Sequence, residues 1–185
     1  NIDNTSDYKN REQQEWEPDY GLSSHFIYKE NINALYFNSR IAYYKFVLEA
    51  GLRIENTNIK GQLPGNRLQA DSSFSKSYIN LFPSVTLSYQ AGKNHTLNLS
   101  YRRRIDRPNY QDMNPFVYIF DTYTYEQGNT TLQPQFSDNL ELSYLLANNY
   151  KVAFFYNQTN NVIAKSFILS ENSKRVYVMP KNLAT

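Results

Sequence analysis

Cysteine is absent from this 185-residue chain, which excludes a disulfide framework, thiolate chemistry and cysteine-ligated zinc. His25 and His95 are the two histidines. They do not have the spacing of an H-x-x-x-H pair, and His95 falls in a predicted hairpin turn, so no metal is expected on them. Six glycines and seven prolines are too few for a collagen-like or low-complexity chain. The net charge of +2 is too small for nucleic-acid binding by electrostatics, so no nucleic-acid partner is expected. There is no G-x-S-x-G elbow and no glycine-rich phosphate loop, and no enzymatic activity or cofactor is expected. Asp106, Asp112 and Asp121 share one loop without the Asp-x-Asp-x-Asp-Gly spacing, which favours solvation over calcium. No run of eighteen apolar residues exists, so there is no transmembrane helix. Barrel strands of about 9–11 alternating residues pass unseen by that criterion. Asn1 is neither an initiator Met nor the start of a signal peptide, so processing or excision from a longer protein is expected.

What is abundant is tyrosine and phenylalanine, 17 and 11 against a single Trp. Their rings suit a pleated, half-buried surface. Alternation of period 2 is clearest from Lys45 to Asn56, where Phe46, Leu48, Ala50, Leu52 and Ile54 share one face. Val47, Glu49, Gly51, Arg53 and Glu55 share the other. Further strands are predicted over 31–39, 78–90, 96–105, 136–146, 150–156 and 162–169, with a last one at 175–179. Residues 1–22 are polar and lack a sustained period, and they read as an arm or loop. Residues 23–185 carry the strands.

The connections differ in length. Residues 91–94 and 147–149 are tight turns, and 40–44 is predicted as another. Residues 58–77 and the Tyr-rich stretch after Ile105 are long loops. Short turns at one end and long loops at the other are the habit of transmembrane β-barrels. A soluble β-sandwich shows similar alternation without that sorting, and it stays open as an extracellular carbohydrate binder acting through Tyr-rich loops.

One segment goes further. Tyr101-Arg102-Arg103-Arg104-Ile105-Asp106-Arg107-Pro108-Asn109-Tyr110 is followed by Met113-Asn114-Pro115-Phe116, Asp121 and Gly128-Asn129-Thr130-Thr131-Leu132-Gln133-Pro134-Gln135. In order and spacing it resembles the barrel domain of Bacteroidetes-type TonB-dependent outer-membrane receptors. Tyr28-Lys29-Glu30-Asn31, Gly51-Leu52-Arg53-Ile54-Glu55 and Leu81-Phe82-Pro83-Ser84 fit as well. Thr130 and Gln135 stand where the family usually has Pro and Glu. The resemblance implies an all-β, antiparallel segment of about seven or eight strands from a large barrel in the outer membrane. It also implies that the parent protein takes up a large nutrient (a glycan, peptide or metal chelate). A plug domain and the TonB complex would be partners of that parent, and lipid would surround it. An isolated segment, with open edges and an apolar face, is expected to self-associate.

Two groups of residues are candidates for function. Glu49, Arg53, Glu55, Arg102, Arg104 and Glu141 are predicted to line the lumen wall. Pairing of Arg102 and Arg104 with carboxylates such as Glu49, Glu55 or Glu141 is the favoured reading, ahead of contact with a plug or an anionic substrate. In the loop, Tyr110, Tyr118, Asp121, Tyr123 and Tyr125 are candidate ligand contacts, with a membrane-boundary girdle or plain loop packing as the alternative.

Overall fold

A computed structural model describes residues 1–12, 15–20, 23–68, 70–147, 149–170 and 175–183. The chain begins with β1 (Ile2–Ser6), β2 (Lys9–Glu12), β3 (Glu15–Pro18), β4 (Ser24–Tyr43) and β5 (Phe46–Leu63). It continues through β6 (Ser72–Gly92), β7 (His95–Asp106), the single turn α1 (Tyr110–Met113), β8 (Val117–Ile119) and β9 (Thr124–Gln127). It ends with β10 (Gln135–Leu146), β11 (Tyr150–Asn160), β12 (Val162–Leu169) and β13 (Val176–Leu183). Seven strands form one sheet in the order β1-β4-β5-β6-β7-β10-β11, every neighbouring pair antiparallel. A smaller sheet, β12-β13-β9-β8, joins the long loop to the last hairpin, and β2 pairs with β3.

Register aligns side chains into rows across this sheet. Phe46, Tyr89, Leu97, Tyr144 and Val152 form one row, and Leu48, Leu87, Leu99, Leu142 and Phe154 form the next. These side chains are exposed, Phe154 by 71%, apart from the half-buried Tyr89. On β5 the apolar stretch from Phe46 to Ile54 covers roughly 27 Å along the strand, at about 3.4 Å per residue. A tilt of about 40° projects this to roughly 21 Å, close to the ~25 Å apolar belt of membrane barrels. Among the described residues no second sheet covers this face, which removes the sandwich alternative. Tight turns sit at one end, at Tyr44–Lys45, at Lys93–Asn94 and between Leu146 and Tyr150. Tyr44 and Ala147 adopt positive φ there, 50° and 51°. The connections at the opposite end are residues 64–71 and 107–134.

Beyond the belt the faces exchange character. Asn31, Asn33, Asn56, Asn58 and Lys60 continue the outer rows, whereas Phe26, Tyr28, Ile59 and Phe74 lie on the inner face. There the long loop folds back against the sheet: Met113 and Phe116 complete a core with Phe26, Tyr28 and Ile59, flanked by Leu63, Phe74, Tyr78 and Tyr110. Within the belt, lipid demands apolar side chains on the outer face. Water above it demands polar ones, and the loop supplies an apolar partner within.

This inversion corrects several boundaries. The strand expected over 31–39 is longer at both ends, because β4 runs unbroken from Ser24 to Tyr43 and takes in all of the turn expected at 40–44 except Tyr44. Most of the loop expected over 58–77 is strand, because β5 reaches Leu63 and β6 begins at Ser72. Residues 1–22, expected to be an arm or loop, carry β1, which pairs with β4 from Ile2↔Tyr28 to Ser6↔Ser24, and the β2–β3 hairpin. A ladder of backbone hydrogen bonds needs no apolar alternation when the strand stands in water on its outer side.

Candidate functional site

The inner face holds the predicted wall residues. Arg40 stands directly opposite Glu49 in the β4–β5 register, and its Nε lies 3.2 Å from the Glu49 carboxylate. Glu141 accepts from Lys151 Nζ at 2.7 Å. Glu55 is buried and meets two guanidiniums, Arg53 at 2.9 Å and Arg107 from the start of the long loop. Arg107 also donates to Thr57 Oγ1 at 3.0 Å, and Arg53 lies over the Phe82 ring at 4.7 Å. Every carboxylate expected to partner Arg102 or Arg104 is therefore occupied by a nearer cation. Among the described residues neither arginine makes an ion pair, and the expected pairing is corrected accordingly. Glu141 and Arg102 share a shallow inner depression with Asn139 and Asn157. Arg103, on the outer parity just beyond the belt, lies over Phe136 at 5.2 Å.

The long loop is held from both ends. Asn109 caps α1, its side chain accepting from the Asp112 N–H at 2.8 Å. The Gly128 N–H donates to the Asn114 carbonyl at 3.0 Å, and the Asn129 N–H to the Asp112 carbonyl at 2.6 Å. At Gly128 an added Cβ would lie 2.3 Å from the Asn114 carbonyl oxygen and 2.7 Å from that of Asp112, so only glycine fits this approach. Asn129 then donates to the Pro180 carbonyl at 3.1 Å, and Asn182 both accepts from the Gln133 N–H and donates to its carbonyl. The motif residues Asn114, Gly128 and Asn129 are thus the joint between the loop and β13. Lys76 Nζ donates to the Leu132 carbonyl at 2.6 Å, and burial lowers its pKa below the usual lysine value.

Above this joint opens a cavity of about 490 Å³. Its walls come from α1, the β8–β9 hairpin and the β12–β13 hairpin, with Gln111, Asp112, Tyr118, Phe120, Gln127 and Lys165 among them. Lys165 is ion-paired with Glu126 at its side. The Tyr118 hydroxyl accepts from Asn114 Nδ2 at 3.2 Å, and partial burial pushes its phenol pKa up. Phe120 is 68% exposed at the rim.

Of the five predicted loop contacts, only Tyr118 lines the cavity. Tyr110 packs against the inner core. Tyr125 is buried, with Tyr177 5.4 Å away ring to ring and the Arg175 guanidinium 5.0 Å above it. Asp121 closes a turn, accepting from the Tyr123 and Thr124 N–H groups at 2.7 Å each, and those bonds lower its carboxyl pKa. Tyr123 projects from that turn, exposed. Sequence reasoning passed over Gln111, Phe120, Glu126, Gln127 and Lys165 as ligand contacts. Gln111, Phe120, Glu126 and Gln127 lie within the motif stretch, whereas Lys165, on β12, carried no signal in the sequence.

A bare apolar belt, tight turns at one end and loop-borne structure at the other meet a sequence match over the whole chain, residues 1–185. The chain belongs to the outer membrane protein beta-barrel family. It is an all-β segment of an outer-membrane barrel, antiparallel throughout its main sheet. No curated protein matches it. Among solved structures it is similar to the siderophore receptor PirA from Pseudomonas aeruginosa, at 16% identity and a TM-score of 0.53, over 87% of this chain and 38% of that one. It is also similar to the ferric enterobactin receptor PfeA from Pseudomonas aeruginosa, as the R480A mutant in complex with enterobactin. There the identity is 16% and the TM-score 0.51, over 98% of this chain and 36% of the other. This chain therefore spans little more than a third of the receptors it resembles.

Proposed function

We propose that the chain is part of the barrel wall and cell-surface loops of a Bacteroidetes-type TonB-dependent receptor that imports a large nutrient across the outer membrane. The observation that carries this reading is the long loop. Residues 107–134 are built as a folded layer over the inner face and anchored through Arg107 and Glu55, and they carry a cavity at the end away from the tight turns. A barrel that merely sealed a membrane would need no such layer. The motif likeness supports the TonB-dependent class, and the fold shared with two receptors of known structure supports the architecture. In the full-length receptor a plug domain would stand against the inner face, energised by the TonB complex, and lipid would cover the outer rows. No catalytic role is proposed.

The chain has no cysteine, so each single-cysteine variant adds one thiol to it, and the unsubstituted receptor supplies the labelling background. In intact cells expressing the full-length receptor, a membrane-impermeant maleimide labels Tyr123→Cys on the loop and leaves Lys93→Cys on the tight turn unlabelled until the cells are broken. Equal labelling of both in intact cells would overturn the orientation. Nutrient uptake that survives deletion of TonB would overturn the energised mechanism.

A further inference from the structure

We infer that the cavity over the Gly128–Asn114 joint binds an uncharged oligosaccharide. This rests on the receptor reading above and narrows its cargo.

Three observations point the same way. Tyr118 and Phe120 present aromatic surface at the cavity, outside the membrane belt, where neither lipid nor core covers it. A flat ring in water offers its face to the apolar C–H side of a sugar. The same cavity is lined by planar polar groups, the Gln111 and Gln127 amides and the Asp112 carboxylate, suited to the hydroxyl rim of such a ring. Gln127 commits its amide N–H to the Pro115 carbonyl at 3.0 Å, which orients its oxygen as an acceptor. Among the described residues no group hydrogen-bonds the Asp112 carboxylate, and a carboxylate is a strong acceptor for hydroxyl donors.

Charge sets the class. Asp112 and Glu126 contribute two negative charges against the one positive charge of Lys165, and Lys165 is already paired with Glu126. The remaining charge is negative and repels an anionic chelate such as a ferric catecholate, although the PfeA structure of similar fold holds enterobactin. A strongly basic peptide would find one free carboxylate and an ammonium at the wall. A neutral polyol fits both the rings and the charge. The joint beneath the site is stiff: directly after β9 the Gly128 N–H is bonded to the Asn114 carbonyl at the end of α1 and the Asn129 N–H to the Asp112 carbonyl within it, and Gly128 leaves this approach no slack. A preformed cavity limits the ordering entropy lost on binding.

The test uses the purified full-length receptor in detergent, titrated calorimetrically with cellohexaose, maltohexaose, xylohexaose and mannohexaose. Hexagalacturonate, hexa-arginine and a ferric tris-catecholate serve as comparators. At least one neutral oligomer binds, and Phe120→Ala and Asp112→Asn each weaken it roughly tenfold or more. The anionic and cationic comparators do not bind at this site. Heat-modifiable gel migration, unchanged in both variants, shows that the barrel is still folded. The inference is overturned if none of the four neutral oligomers binds, or if their binding ignores both substitutions. It is equally overturned if a charged comparator binds and the variants abolish that binding. A receptor that never reaches the outer membrane would instead sink the receptor reading itself, which membrane fractionation decides separately.

Discussion

Arg107 and Glu55 meet across fifty-two residues of sequence, joining the first residue of the long loop to the inner face of β5. The Glu55 side chain is 8% exposed and that of Arg107 18%, so both charges are largely withdrawn from water. Truncating Arg107 to Ala should destabilise the barrel by about 3 kcal/mol, since breaking a buried pair leaves its partner uncompensated. Glu55→Ala should cost more, because it leaves Arg53 and Arg107 side by side. Urea unfolding in lipid measures both, and proteolysis confined to residues 107–134 would identify the loop as the part released.

The outer rows make a depth-specific prediction. Leu99→Arg places a guanidinium at the centre of the apolar stretch of β7 and should cost roughly 2–4 kcal/mol, with reduced insertion into the outer membrane. Thr86→Arg, on the inner face opposite Glu49, should insert normally. Equal loss in both variants would mean that the faces are assigned wrongly.

Arg102 and Arg104 lack carboxylate partners among the described residues, unlike Arg53 and Arg107. Replacing both with Gln should therefore change stability by no more than about 0.5 kcal/mol per site. A large loss in the full-length receptor would reveal an anionic partner on the plug.

Gly128→Ala should disrupt the joint, because backbone oxygens at 2.3 and 2.7 Å cannot swing aside as a side chain could. A cost of about 1–3 kcal/mol is expected, with faster amide exchange across 112–129. Gly92→Ala, whose nearest neighbour would be His95 at an ordinary 3.5 Å, serves as the tolerant comparison.

The Asp121 turn should respond to pH. Its carboxyl pKa is lowered by two backbone donors, so its contribution is complete above the unfolded carboxylate range, about pH 4. It is lost as pH falls through the lower folded value. Exchange at the Tyr123 and Thr124 amides should accelerate only on strong acidification, whereas Asp121→Ala should show that acceleration already at neutral pH.

Much of the belt was legible because lipid imposes one clean rule on each strand. Phe46 to Ile54 or Leu97 to Tyr101 reads as a strand from its own alternation, and the turns at 93–94 and 147–149 follow from where that alternation stops. The upper strand halves obey a different solvent. At Lys29 to Asn33 and Asn58 to Ser77 the apolar side passes to the inner face, and a scan for one continuous phase reads the change as a break.

Local alternation and turn length by themselves determined antiparallel strands joined by short and long connections, because period 2 and turn chemistry involve only near neighbours, and the resemblance carried by the Arg-Pro-Asn-Tyr motif added the barrel. Tertiary structure alone decided that Tyr110 and Tyr125 are packed away while Phe120 stands open. It alone decided that Glu49, Glu55 and Glu141 are taken by Arg40, Arg107 and Lys151 rather than by Arg102 and Arg104. Those outcomes depend on which strand lies beside which, and in what register, when the loop closes over the inner face. Coulombic and packing partners are chosen there by distance in space, and Glu55 lies far from Arg107 in sequence.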